Sequence, residues 1–375
     1  MTQPPDFVDP SKPTYVCKLL QSIYGLKQAP RVWFQRMSQF LFSNGFHLSK
    51  ADSSLFIYRH AGNSIFFLLY VVDIIVTANS DTLLTKFIDA LSHGFDIKDL
   101  DPLHYFLGLQ VTSQGDGLHI NQLKYAHDIL DKYGLLHSQP VCTPMTPKAQ
   151  LNSTDGTLLD NPTSFREIVG SLQYLTITRP DIAYAVNFIS LFMSQPRTPH
   201  LVAAKRILRY IKGTIDHGLS FKPQRQLVTL STYSDADWVG CPESRRSQTG
   251  YLLYIGSNLV SWCSKKQPTV ARSSAESEYR ALAHACAETT WIVSLLSEFG
   301  ANIHYPILLY CDNLSATYMA SNPVFHARTK HIELDYHFVQ EKVALRSHSV
   351  RFVPSTDQPA DLLTKALHHH RSSLF

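Results

Sequence analysis

From Pro223 onward the chain follows an order of elements that few folds accommodate. Three strand-like runs come close together, at residues 228–234, 250–255 and 259–263. A long helical stretch at 273–299 follows. Then come a strand at Ile307–Cys311, helices at 314–320 and 332–345, a strand at 350–354 and a last helix at 360–367. Three consecutive strands followed by alternating helix and strand predict an α/β domain with a mixed sheet.

Upstream the pattern is different. Residues 1–14 are Pro-rich and irregular, and apolar periodicity predicts a helix over 33–41. Strand-like runs at 54–58 and 65–76 are joined by Ala61-Gly62-Asn63, and a helix is expected over 82–91. Short strands near 105–111 and 117–120 precede a helix at 125–133, closed by Gly134. The stretch 140–162, rich in Pro, Ser, Thr, Asn and Asp, is the expected linker. Residues 165–212 read as helical, broken at Arg179-Pro180-Asp181 and at Pro196–Pro199. The expected division is therefore 1–139, a linker at 140–162, a helical region at 163–224 and an α/β domain at 225–375. An apolar content of 44% can build these cores, and 17% charged residues argues against disorder. The net charge of +4 is too mild to announce a nucleic-acid binder. Six cysteines with no C-x-x-C pair read as free thiols in a reducing compartment. No apolar run approaches the roughly 20 residues of a membrane span. The start Met-Thr-Gln-Pro-Pro carries no visible signal peptide.

Four acids of the last region sit at element boundaries: Asp235, Glu278, Asp312 and Asp361. Asp235 and Asp237 share a strand face, so spacing does not choose between them. In the long helix, Glu276, Arg280, His284 and Glu288 form a polar row expected to face water. Glu278, Leu282 and Ala285 line the opposite, core-facing side, where a carboxylate needs compensation. Asp312 ends the strand Ile307–Cys311 and could equally cap the next helix. Asp361 begins the last helix, where an acid also suits the helix dipole. Crowded carboxylates require counter-charge, and Mg²⁺ is a hard cation that prefers oxygen ligands. Two such ions can activate a water and stabilise the departing 3′ oxygen of a phosphodiester.

The order strand-Asp, helix-Glu, strand-Asp, helix-Asp resembles ribonuclease H. The strings Tyr233-Ser234-Asp235-Ala236-Asp237-Trp238, Ser273-Ser274-Ala275-Glu276-Ser277-Glu278-Tyr279 and Cys311-Asp312-Asn313 are similar to the ribonuclease H of copia-type LTR retrotransposons. So are Thr329-Lys330-His331-Ile332 and Ala360-Asp361-Leu362-Leu363-Thr364-Lys365. The resemblance implies catalysis by Asp235, Glu278, Asp312 and Asp361 as ligands of two Mg²⁺ ions, with Mn²⁺ possible, and an RNA–DNA hybrid as partner. Some ribonucleases H carry a mobile His before the last Asp, but residues 354–358 contain none.

Upstream, Ile23-Tyr24-Gly25-Leu26-Lys27-Gln28-Ala29-Pro30-Arg31 resembles the template- and nucleotide-handling motif of copia-type reverse transcriptases. Leu69-Tyr70-Val71-Val72-Asp73-Ile74-Ile75-Val76 resembles their catalytic hairpin. There the family has Tyr-Val-Asp-Asp. Here Tyr70 and Asp73 remain but Val72 replaces the first aspartate, and valine has no lone pair for a metal. The family's other metal-binding aspartate is expected upstream of Met1, so the chain reads as a Pol fragment with a truncated palm and no DNA synthesis. Its fold class is then α/β and α+β: palm, helical thumb or connection, and a ribonuclease H-like mixed sheet.

Weaker signals complete the reading. Lys205, Arg209 and Lys212 share a helix face beside Arg206 and could track phosphates. Arg328 and Lys330, with His326 and His331, form a second basic cluster. Trp238 and Trp262 are expected in the core, and the tail His368-His369-His370 as a frayed end. The expected location is intracellular, in the cytoplasm within a virus-like particle or in the nucleus. The competing expectation is an inactive nucleic-acid-binding remnant of a transposable element.

Overall fold

The computed structural model describes residues 2–19, 25–147, 151–224, 227–322 and 332–366. These form two compact units, Met1–Leu103 and His104–Phe375.

In the first unit, helix α1 (Ala29–Ser43) begins with Pro30 in its first turn, where the missing N–H costs nothing. Strands β1 (His47–Leu48), β2 (Leu55–His60), β3 (Asn63–Tyr70) and β4 (Asp73–Ala78) make an antiparallel sheet in that order. Helix α2 (Asp81–Gly94) covers it. Alternation in β3 turns Ile65, Phe67 and Leu69 inward, onto Met37 and Leu41 of α1 and Phe87 of α2. The apolar run expected as one strand over 65–76 is two strands. Tyr70 pairs with Asp73 and leaves Val71 and Val72 as a two-residue loop.

The second unit opens with β5 (Tyr105–Phe106), β6 (Leu109–Gln114), β7 (Gly117–Asn121) and helix α3 (Leu123–Lys132). Helices α4 (Pro162–Leu175), α5 (Pro180–Ser190) and α6 (Thr198–Gly213) follow, each with proline at its start. Their apolar faces close on Leu130, Phe165, Leu172, Ile182, Val186 and Ile207. Strand β8 (Leu219–Phe221) then pairs with β7. That pairing draws residues 105–132 into the second unit, so the units divide at Leu103 and His104 and not in the 140–162 stretch. That stretch is no free linker either: Met145 is buried in the helical core.

The mixed sheet contains β9 (Leu230–Asp237), β10 (Gln248–Ile255), β11 (Asn258–Lys266), β12 (Ile307–Cys311) and β13 (His348–Phe352). Its order is β11-β10-β9-β12-β13, with the first three antiparallel and β9, β12 and β13 parallel. Helix α7 (Ser274–Glu298) packs on one face through Ile292 against Leu230, Leu253 and Ile307. On the other face Ala183 of α5 and Leu363 meet Leu252. Helices α8 (Leu314–Ser321) and α9 (Glu333–Ala344) complete the α7 side. The last helix expected at 360–367 is a 3-10 turn, Pro359–Leu363. Trp262 joins the α5 side of the sheet, but Trp238 is 52% exposed, its indole N–H held by the Ala271 carbonyl. Among the described residues no helix is long and apolar enough to cross a membrane.

Candidate active site: a carboxylate cluster at the end of the mixed sheet

Strand register brings the first two acids together. Cys311 of β12 lies across from Ser234 of β9 in a parallel pair. One residue further, Asp235 and Asp312 therefore stand side by side at the carboxyl ends of adjacent strands, where open sheets leave a crevice. Asp312 is not the cap of α8. Asn313 fills that role by accepting from the Ala316 N–H at 3.0 Å, which leaves the Asp312 carboxylate to accept the Ser355 hydroxyl at 2.6 Å.

Glu278 descends from the second turn of α7 onto β9, where the Ala236 N–H supports its carboxylate. Oxygen and sulfur atoms of Glu278, Cys311 and Asp312 lie within 4.8 Å of one another. The expected water-facing position of Glu276 is not observed. Glu276 is 4% exposed, because its side chain reaches back to the Arg272 N–H at 2.8 Å and pairs with Arg280 at 2.8 Å. Both glutamates are buried, but Glu276 is consumed in closing the start of the helix. Glu278 alone points into the cluster.

Asp361 arrives on the Pro359–Leu363 turn, which three contacts fasten down. The Gln358 amide donates to the Ser234 carbonyl at 2.9 Å, and Ser264 donates to the Leu363 carbonyl at 2.7 Å. Thr364 donates its hydroxyl to Asp235. The turn lies so close to β10 that a Cβ on Gly250 would meet Leu363 and Thr364 at 2.8 Å. Gly250 is the residue paired with Asp235. Gly250→Val is therefore expected to push the Asp361 turn off the sheet, costing about 1–3 kcal/mol of stability. Thermal unfolding and metal-dependent cleavage, measured together, should both fall. Wild-type values in both would show that the close approach is dispensable.

Electrostatics marks the same cluster. Burial, then repulsion from Asp235 and Asp312, pushes the Glu278 carboxyl up to about 9. Burial likewise raises Asp235 to about 6 against the pull of Lys365. Asp237 is also raised, to about 7, chiefly by burial, but it accepts the N–H of Gln248 within its own strand pair and faces fewer of the acids. Asp235 thus sits against Thr364 and Lys365, whereas Asp237 is held within its strand pair. Lys365, absent from the sequence-based set, lies 2.6 Å from Asp361 and 3.6 Å from Asp235. Its i, i+4 spacing from Asp361 was the signal available for it. Four oxygen-donor side chains that repel one another and already attract an ammonium fit a hard divalent cation.

The other expected sites are less organised. At the hairpin, Tyr70, Val71 and Val72 are exposed, and Val71 sits at φ +54°, which a β-branched residue resists. Asp73 opens β4 beside them. On α6, Arg209 donates to the Gln139 carbonyl at 2.7 Å, Lys212 to the Ser138 carbonyl and Arg206 to Thr143 at 2.9 Å. Those cations clamp the 138–143 segment, while Lys205 is exposed. Residues 20–24, with Ile23 and Tyr24 of the template motif, lie outside the described residues. So do His326, Arg328, Lys330, His331 and the His368–His370 tail.

A reverse transcriptase (RNA-dependent DNA polymerase) family model matches residues 1–147. The chain is 48% identical over 367 residues to a retrovirus-related Pol polyprotein from transposon RE1 of Arabidopsis thaliana, covering 98% of this chain and 25% of that protein. It is 31% identical over 280 residues to a putative Ty5-1 transposon protein of Saccharomyces cerevisiae, covering 74% of this chain and 91% of that protein. Among solved structures, the N-terminal ribonuclease H domain of a Mycobacterium tuberculosis protein is similar at a TM-score of 0.29 and 15% identity, covering 36% of this chain and 91% of that one. The chain spans about a quarter of the length of the Pol polyproteins it matches.

Proposed function

The chain belongs to the Pol polyprotein family of copia-type retrotransposons, and on that premise we propose that its C-terminal domain hydrolyses the RNA strand of RNA–DNA hybrids. The observation that carries this reading is the convergence of Asp235, Glu278, Asp312 and Asp361 from four separate elements onto one end of the mixed sheet. These residues would hold two Mg²⁺ ions, with Mn²⁺ as a substitute, which supply the charge that activates a water and stabilises the departing 3′ oxygen. The protein's part is to hold the donors in place before substrate arrives. Thr364 fixes Asp235, Ser355 fixes Asp312, and Gln358 with Ser264 fixes the turn that carries Asp361. Hybrid is told from duplex DNA by 2′-OH contacts and groove shape, so no sequence preference is expected.

The test is cleavage of a labelled RNA strand in an RNA–DNA hybrid with Mg²⁺, beside the same strand in an RNA duplex. Cleavage of the hybrid that stops on chelation supports the reading. A hybrid left intact with either Mg²⁺ or Mn²⁺ defeats it.

The N-terminal unit is read as incompetent for DNA synthesis, because Val72 places a hydrocarbon at the tip of the hairpin where a metal-binding oxygen is needed. Primer extension on an RNA template should give no product with the intact chain. Extension that disappears on Asp73→Ala would overturn this.

A further inference from the structure

We propose that the Lys365 ammonium is a built-in counter-cation of the carboxylate cluster, and that the first divalent ion must displace it. The inference rests on the two-metal reading above and adds a competitor to it. The ammonium is shared between Asp361 at 2.6 Å and Asp235 at 3.6 Å. These acids are 3% and 1% exposed, a depth at which a carboxylate requires a partner charge. Lys365 itself follows the end of the turn, and its side chain is 44% exposed.

That placement makes the contact both stabilising and reversible. The ammonium is a compact charge with three rotatable donors on a flexible stem, so it can serve two carboxylates and still swing out to water. Removing it leaves the anchors of the cluster intact, since Thr364 holds Asp235 and Gln358 and Ser264 hold the turn. A divalent ion that took its ligands from Asp235 and Asp361 would use the same oxygen lone pairs. It would also meet a like charge. Ion and ammonium therefore exclude one another, and the cost of displacing the ammonium lowers the affinity of the ion.

The experiment uses the full chain, with Mg²⁺ added in steps while thermal unfolding is followed. Without divalent ions, Lys365→Met should melt below the unmutated protein, and its Mg²⁺ midpoint should fall several-fold. Lys365→Arg keeps the charge and should stay near the unmutated midpoint. A midpoint for Lys365→Met equal to or above the unmutated one overturns the inference while the two-metal reading stands. No Mg²⁺ effect on either protein overturns both. A second measurement needs no variant: reductive methylation of the unmutated chain, with the Lys365 peptide quantified by mass. Mg²⁺ should speed modification of Lys365 by releasing it to solvent. An equal or slower rate with Mg²⁺ overturns the inference.

Discussion

Asp312→Asn should reduce Mg²⁺-dependent cleavage of an RNA–DNA hybrid by at least about 100-fold, with little change in stability. Loss of one carboxylate from a two-metal site removes several kcal/mol of transition-state stabilisation, and each 1.36 kcal/mol is a factor of ten. Asp312 is the best choice for this test among the four acids. Its neighbour Asn313, not Asp312 itself, caps α8, so the substitution leaves the helix start untouched. Asp312 is only partly buried, and an asparagine oxygen can still accept from Ser355. Changes at Asp235 or Asp361 would be harder to read, because both are buried and tied to Lys365. Cleavage rate and melting temperature, measured on one preparation, check the expectation. Equal rates for the two proteins would remove Asp312 from the catalytic set.

The second large effect is structural. Asp181→Ala is expected to destabilise the second unit by about 3–5 kcal/mol, because it strands a buried guanidinium. Arg179 is 3% exposed and grips Asp181 through two parallel bonds of 2.9 and 2.7 Å. It also donates to the carbonyl and hydroxyl of Thr214 at the end of α6. Burial opposes both charges, yet the guanidinium still holds the Asp181 carboxyl below the usual carboxylate range. The consequence reaches the cluster, since α5 packs against β11 and against the Asp361 turn. Denaturant unfolding followed by circular dichroism measures the loss. Replacing both partners, as Arg179→Met with Asp181→Leu, should cost less than the single change. A single-variant loss below about 1 kcal/mol would mean that the pair contributes no more than a surface ion pair.

Much of the second unit was legible because its signals are local. The apolar run Ile307–Cys311 is the strand to the residue, Gly134 follows the end of α3, and Pro180 and Pro199 lie in the first turns of α5 and α6, although α5 ends at Ser190, before the break expected at Pro196. Helical phase put Glu278 toward the core, as observed. The same argument placed Glu276 in water and failed there. Phase describes which way a side chain leaves a helix, and near an N-terminus a long side chain can fold back onto free N–H groups. Spacing alone gives the α6 cations as a helix face that could track phosphates or simply face water. Their acceptors on the 138–143 segment lie more than 60 residues away in sequence and leave no trace in it.

By itself the sequence determined the order of elements from Pro223 onward, the four boundary acids and the valine at position 72. Each of these is written in residue type and short-range periodicity. Tertiary structure decided which acids meet. Strand register set Asp235 beside Asp312, and the close fit of the 359–363 turn over Gly250 brought Asp361 and Lys365 to them. It also decided that residues 105–132 belong with the second unit, through the pairing of β7 with β8 about a hundred residues later. Pairing and docking depend on contacts between distant segments, whose energies are shared by both partners and cannot be read from either one alone.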